Sequence, residues 1–400
     1  MELMNFIESS NKIRRLLATE SETDPNDWFL CLRARYGMAV VFDAIYDLLG
    51  DGEVLTTPYT CITAINPILV SGLTPVYVDI KPELLSNNTV PAKLVSHRTR
   101  AIVSQNTLGL IGDRSALDKI ADEHKIPLIE DSAHCLLRMA RNHRGRIIAD
   151  ISVHTFGVEK VIAGTKFGGA IYINPDFKQK APKLYEEICH RLINLPQPTG
   201  PLKFRIKSYK TINAIMQHMP HGIKPHFRNF AIKAKLLEPP VSEAEQEGRQ
   251  LKPMNTNEYV NEVILKNLPY LRSIYDKREK NVEIYNQELY SEKFIKIAEH
   301  SSEPLLAYPI IFDDIIRANY AYDLLTTAGF FIRRWYSPLL YPGPKYYQFY
   351  HYKPEQCPIA EEVSKRTLCL PTDQSPERTR KIIQLINSVQ KPVEKNSHDV

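Results

Sequence analysis

Over the first 180 of its 400 residues, the chain sets short apolar runs between stretches with helical spacing. Val54-Leu55-Thr56-Thr57 is strand-like, residues 61–70 have helical spacing, and Pro75-Val76-Tyr77-Val78-Asp79 gives a second strand. Ala101-Ile102-Val103-Ser104 and Pro127-Leu128-Ile129-Glu130 are the third and fourth. Between them, Leu117, Ile120 and Ala121 fall on one face of a helix predicted over 115–124. Strands that alternate with helices predict an α/β domain with a mostly parallel sheet, whose functional groups gather at the carboxyl ends of the strands. After Pro182 the alternation stops. Residues 257–289 then predict one long linking helix, followed by a strand over 307–312 and helices over 315–328 and 375–389. The expected division is a large domain over 1–250 and a linking helix with a smaller domain over 251–400.

Composition narrows this picture. A hydrophobic share of 43% supports a full core. No window approaches eighteen consecutive apolar residues, and Met1-Glu2-Leu3-Met4-Asn5 lacks a basic n-region leading into an apolar run, so neither a membrane span nor secretion is expected. Cys31, Cys61, Cys135, Cys189, Cys357 and Cys369 show no CxxC pair, which argues against a zinc site or disulfide scaffold and for a reduced, cytoplasmic setting. The formal charge of +5 is unevenly distributed, because residues 190–237 hold nine Lys or Arg and no Asp or Glu. There Leu202, Ile206, Tyr209, Ile212 and Met216 share one helical face among basic side chains. That pattern fits either a packed insertion with a solvated basic rim or peripheral contact with an anionic membrane. No nucleic-acid motif accompanies the charge.

The candidate chemistry lies in Ile129-Glu130-Asp131-Ser132-Ala133-His134 and in Thr155-Phe156-Gly157-Val158-Glu159-Lys160, followed by Gly168-Gly169-Ala170. A buried aspartate at a strand end can keep a pyridine nitrogen protonated, and a nearby lysine can carry an aldehyde, which together read as a pyridoxal phosphate site. Thr155 offers a hydroxyl to a phosphate, Gly168 and Gly169 let the backbone approach a ring, and Tyr36-Gly37-Met38-Ala39 precedes a helix whose first amides can hold an anion.

The order of these motifs resembles that of the DegT/DnrJ/EryC1/StrS aminotransferases, which have the fold type I pyridoxal phosphate architecture, from about residue 28 to 390. Asp51-Gly52-Glu53-Val54 through Pro58-Tyr59-Thr60-Cys61 and on to Asn66 is similar to the family's first signature, and Gly72-Leu73-Thr74-Pro75-Val76-Tyr77-Val78-Asp79 to its second. Cys357-Pro358-Ile359-Ala360-Glu361-Glu362 through Leu370-Pro371 resembles its C-terminal signature. The resemblance implies that Lys160 carries pyridoxal 5'-phosphate, that Asp131 meets its pyridine nitrogen and that His134 lies by its ring. It further implies that Thr155 and the Gly37 and Met38 amides hold the phosphate, with Thr60 and Cys61 completing the cofactor site. Lys160 is favoured over Lys166 by the family's spacing to the glycine pair.

An aminotransferase of this family would move an amino group from an amino acid, with glutamate the expected donor, to a nucleotide-linked keto-sugar, as a homodimer with shared active sites. Several positions depart from the pattern. Tyr36-Gly37-Met38 stands where the family has Ser-Gly-Thr, Cys61 replaces an aromatic, and Pro253-Met254-Asn255-Thr256-Asn257 blurs an Asn-x-Arg motif. These departures leave a cyclitol or lipid-linked keto-sugar acceptor as an alternative. A non-catalytic, cofactor-binding regulator or scaffold docking through the basic segment is a third reading.

Overall fold

The computed structural model describes residues 2–389 apart from 158, 163–165, 221, 240 and 291. A seven-stranded sheet has the order β1-β7-β6-β5-β4-β2-β3. Its strands are β1 (Trp28–Cys31), β2 (Glu53–Thr56), β3 (Thr74–Tyr77), β4 (Thr99–Gln105), β5 (Leu128–Asp131), β6 (Ile151–Thr155) and β7 (Gly169–Ile173). β3, β2, β4, β5 and β6 run parallel, while β7 is antiparallel to both of its neighbours. All four strands read over the first 180 residues are present and parallel. Helices α1 (Glu2–Ser21), α2 (Ala34–Leu49), α3 (Ile62–Val70), α4 (Ser115–Glu123), α5 (Phe177–Lys180) and α6 (Pro182–Ile193) accompany the sheet.

The basic stretch folds as α7 (Gly200–Gln217) and α8 (Lys224–Lys233) after the end of α6, and the acidic α9 (Glu243–Gln246) follows it. Ile206 on α7 is buried, and Leu202 and Tyr209 pack against the core beside Phe167 and Ile264. Much of the apolar face proposed for membrane contact is therefore turned into the protein, because it covers apolar side chains of the larger sheet unit. Among the described residues, no helix is long and apolar enough to cross a membrane.

The single linking helix expected over 257–289 is broken. Pro269 cannot donate the next helical hydrogen bond, and a 3-10 turn over Leu268–Tyr270 separates α10 (Glu258–Asn267) from α11 (Leu271–Glu288). Asn257 caps α10, its side chain accepting from the Val260 amide. A second, antiparallel sheet of β8 (Phe294–Lys296), β9 (Ala307–Phe312) and β10 (Thr367–Pro371) carries α12 (Ile315–Thr327), α13 (Pro358–Arg366) and α14 (Pro376–Asn387). Arg278 on α11 fixes that helix to the smaller sheet, donating to the carbonyl of Leu306 just before β9 and to the Thr372 hydroxyl just after β10, each at 2.7 Å.

The carboxyl end of β5 rests on a dry polar network. Arg114 and Glu130 form an ion pair at 3.3 Å, with both side chains fully buried. Glu130 also accepts from Asn106 and from the Ala140 amide at 2.9 Å, and from Ser152 at 3.2 Å. Glu130 therefore has a structural post next to Asp131. Arg114→Ala removes one member of a buried pair and is expected to cost about 3–5 kcal/mol of stability. Denaturant unfolding measures this, and a loss below about 1 kcal/mol, typical of a surface pair, would refute the assignment.

Candidate active site

Asp131 ends β5 with its carboxylate buried, and its Oδ1 accepts from the Ala133 amide at 3.0 Å. Burial raises its pKa, while the Ala133 amide and then the Lys160 ammonium lower it. Lys160 lies in the turn that follows β6, where its amide donates to the carbonyl of Gly157 at 3.3 Å. Desolvation depresses the Lys160 pKa, partly offset by Cys61 and Asp131 and reinforced by Arg333. The fold thus brings the two expected partners from neighbouring parallel strands into one electrostatic unit.

His134 is held from both sides. The Leu108 amide donates to Nδ1 at 2.9 Å, and Nε2 lies 3.0 Å from the Tyr336 hydroxyl. Leu108 has a left-handed φ of 56°, a backbone turn that presents its N–H to the imidazole. Burial, with Lys160 and Arg333 next, keeps the His134 pKa well below its usual value. An acceptor Nδ1 on a neutral ring places the proton on Nε2, so Tyr336 accepts there and retains its own hydrogen. Trp335 stacks on His134, with ring centroids 5.1 Å apart and planes 12° apart, and Lys160 Nζ lies 4.9 Å from the centre of the indole. The Trp335 carbonyl is fixed by the Tyr59 hydroxyl at 2.9 Å and by Cys369 Sγ at 3.3 Å. The flat wall beside Lys160 is therefore supplied by the segment that follows α12, in place of the aromatic absent at Cys61.

Sequence reasoning missed Trp335, Tyr336 and Arg333. The run Arg333-Arg334-Trp335-Tyr336, holding one of only two tryptophans in the chain, was the available signal.

The expected phosphate contacts sit differently. Tyr36-Gly37-Met38-Ala39 does not precede α2 but lies inside it, since Arg33 is the cap. The amides without helical acceptors belong to the first residues, whereas those of Gly37 and Met38 fall within the ladder. Gly37 has a packing role, as a Cβ there would meet Ile171 Cγ1 at 2.4 Å. Gly169 likewise admits the start of α2, where a Cβ would lie 2.5 Å from the Ala34 nitrogen. The Thr155 hydroxyl donates to the Gly168 carbonyl at 3.3 Å and accepts from the Gly157 amide at 3.2 Å. Thr60 donates to Gln105 Oε1 at 2.5 Å. Cys61 caps α3 and contributes to the field at Lys160.

The donor set suits pyridoxal phosphate at its ring end. A buried carboxylate gains a cationic partner in a protonated pyridine nitrogen, and a lysine disfavoured as an ammonium is predisposed to act as a nucleophilic amine.

The profile of the DegT/DnrJ/EryC1/StrS aminotransferase family matches residues 37–191 and 251–389. The chain belongs to this family. It is 32% identical over 133 residues to UDP-4-amino-4,6-dideoxy-N-acetyl-beta-L-altrosamine transaminase of Helicobacter pylori, a match covering 33% of this chain and 35% of the relative. It is 25% identical over 355 residues to dTDP-4-amino-4,6-dideoxy-D-glucose transaminase of Escherichia coli, covering 86% of this chain and 81% of the relative. The first of these matches thus spans about a third of the curated relative's length. In fold, the family member is similar to Helicobacter pylori PseC, an aminotransferase involved in the biosynthesis of pseudoaminic acid. That match has a TM-score of 0.69 at 18% identity and covers 95% of this chain and 91% of that chain. A putative sugar aminotransferase of Streptococcus pneumoniae in its PMP form also gives 0.69 at 18% identity, with the same coverages of 95% and 91%.

His154, beside Trp28, is buried, and desolvation lowers its pKa to about 3. Unfolding exposes the imidazole, so the unfolded chain binds the proton first. The stability that neutral His154 contributes is complete above about pH 6.5 and is lost as pH falls toward 3, at about 1.4 kcal/mol per pH unit. His154→Gln is expected to flatten the acid limb of the stability profile by that slope, and an unchanged limb would contradict the assignment.

Proposed function

We propose that the protein is a pyridoxal phosphate-dependent aminotransferase that takes an amino group from an amino acid, glutamate, and delivers it to a nucleotide-linked keto-sugar. The observation that carries this reading is the buried Lys160–Asp131 unit at the ends of β5 and β6, walled by Trp335 and His134. The curated relatives are named as transaminases of UDP- and dTDP-linked amino sugars, which supports the acceptor class.

When bound, pyridoxal phosphate supplies an electron sink for the carbon that bears the amino group. Asp131 would meet the pyridine nitrogen, and its carboxylate would hold a proton there. Lys160 Nζ accepts the proton from the amino-bearing carbon of the donor and later returns one to the keto carbon of the acceptor. His134, locked by Leu108, and Tyr336 orient the ring end, and Trp335 keeps water from the Lys160 side. The homodimer with shared sites implied by the family belongs to the same proposal, as does the division of the chain near residue 250.

Borohydride reduction of protein mixed with pyridoxal phosphate is expected to mark Lys160 and not Lys166 in peptide mapping. Lys160→Ala is expected to lower 2-oxoglutarate release from glutamate by about 10²–10⁴-fold. A wild-type protein that takes up the cofactor but releases no 2-oxoglutarate from glutamate would exclude the enzyme and leave the cofactor-binding regulator, and one that takes up no cofactor would exclude both.

A further inference from the structure

The segment after α12 carries two successive arginines that face different ways. Arg334 is committed to packing. Its Nη1 donates to Asn319 on α12 at 2.7 Å, its Nη2 donates to the Lys365 carbonyl on α13 at 2.6 Å, and its guanidinium lies 5.6 Å from the centre of the Tyr322 ring. Arg333 turns to the other side with Phe331 and Trp335, as alternate residues of a strand-like backbone do. The Arg333 carbonyl accepts from the Cys369 amide at 2.9 Å in a bridge to β10, which fixes where its side chain starts. From there its guanidinium lies 5.0 Å from the centre of the Trp335 ring, which Lys160 Nζ approaches to 4.9 Å. The two cations thus share one indole, and the charge of Arg333 is felt at Lys160 and at His134.

Among the described residues, the Arg333 side chain donates no hydrogen bond and joins no ion pair, and its Nε is buried. The Phe331 and Trp335 rings stabilise its charge but supply no oxygen acceptor to its five N–H groups. A donor kept from water without an acceptor is costly, so an acceptor that arrives with a ligand gains the full hydrogen bond. The groups whose pKa it shifts, Lys160, His134, Arg278 and Cys369, include no carboxylate. Arg333 is half-buried and Phe331 is exposed, so a solute reaches the guanidinium from outside. Residues 253–257 hold no arginine where the family motif has one, whereas Arg333 brings a guanidinium toward Lys160 from the segment after α12.

We propose that Arg333 is a substrate-binding residue that takes a carboxylate of the amino-acid donor and so turns the donor's amino-bearing carbon toward Lys160. The inference rests on the proposed function, which supplies the amino-acid donor. The two oxygens of a carboxylate match two parallel N–H groups of a guanidinium, a pairing that fixes orientation as well as position. Glutamate offers two carboxylates of the same chemistry, one beside the amino-bearing carbon and one at the end of its side chain.

Calorimetric titration of the cofactor-loaded, full-length protein with glutarate, a dicarboxylate without an amino group, tests the site without turnover. Wild type is expected to bind glutarate, less tightly as salt rises. Arg333→Gln is expected to weaken binding by about tenfold or more, and Arg333→Lys, which keeps the charge but loses the planar fork, to weaken it by less. Both variants are expected to retain the visible absorbance of the bound cofactor, since the arginine serves the donor. No glutarate binding by wild type, or binding indifferent to Arg333→Gln, overturns the proposal. Loss of cofactor uptake in both variants also overturns it, because Arg333 would then hold the cofactor. Arg333→Lys keeps the test decisive should Arg333→Gln fold poorly. The concentrations of glutamate and of glutamine that half-saturate the donor half-reaction separate the two carboxylates. A rise for both in Arg333→Gln assigns the one beside the amino group, a rise for glutamate alone assigns the side-chain one, and either supports the shared chemistry, whereas a rise for neither overturns it. Glutarate binding that depends on Arg333 in a protein without turnover leaves the carboxylate site standing and counts against the proposed function alone.

Discussion

The Arg114–Glu130 pair supports the rest of the site, because two opposite charges held without water tolerate only one geometry. Glu130 collects Asn106, Ala140 and Ser152 around the end of β5, and Asn106 also reaches the Ser132 hydroxyl at 3.0 Å. This clamp fixes the backbone on either side of Asp131. The loop that leaves β5 then delivers His134 to the Leu108 amide, while the Leu108 carbonyl accepts from the Leu306 amide at 2.8 Å. The dry network, the candidate active site and the second sheet unit are thus linked through a few short hydrogen bonds.

Desolvation is common to the two lysines near the end of β6. It depresses the Lys160 and Lys166 ammonium groups alike, but their neighbours differ. Lys160 has Asp131 and Cys61 in support and only Arg333 against it, a setting for an amine that gains and loses a proton. Lys166 has Arg33, Arg228 and Arg35 against it and Glu238 in support. Six residues of sequence separate the two lysines, and the difference comes from what packs on each.

The parallel strands and the pairing of Asp131 with Lys160 were legible because they depend on local pattern and on motif order. Alternation of strand and helix places Asp131 at a carboxyl end whatever the rest of the chain does. The phosphate contacts were less legible. Gly37 and Gly169 read as ligand-facing glycines, yet each is glycine because α2 and β7 approach closely, a distance that no spacing along the chain encodes. The inward turn of the α7 apolar face was likewise undecided, since an amphipathic helix shows the same pattern against a core or against a lipid surface.

By itself the sequence determined the α/β order, the family and the approach of Asp131 to Lys160, because these are carried by residues close together or by motifs in fixed order. Only the tertiary structure decided that Trp335 walls Lys160, that Leu108 sets the tautomer of His134 and that Arg333 and Lys160 meet at one indole. Each of those contacts joins residues far apart in the chain, and their energies depend on distance and on the exclusion of water.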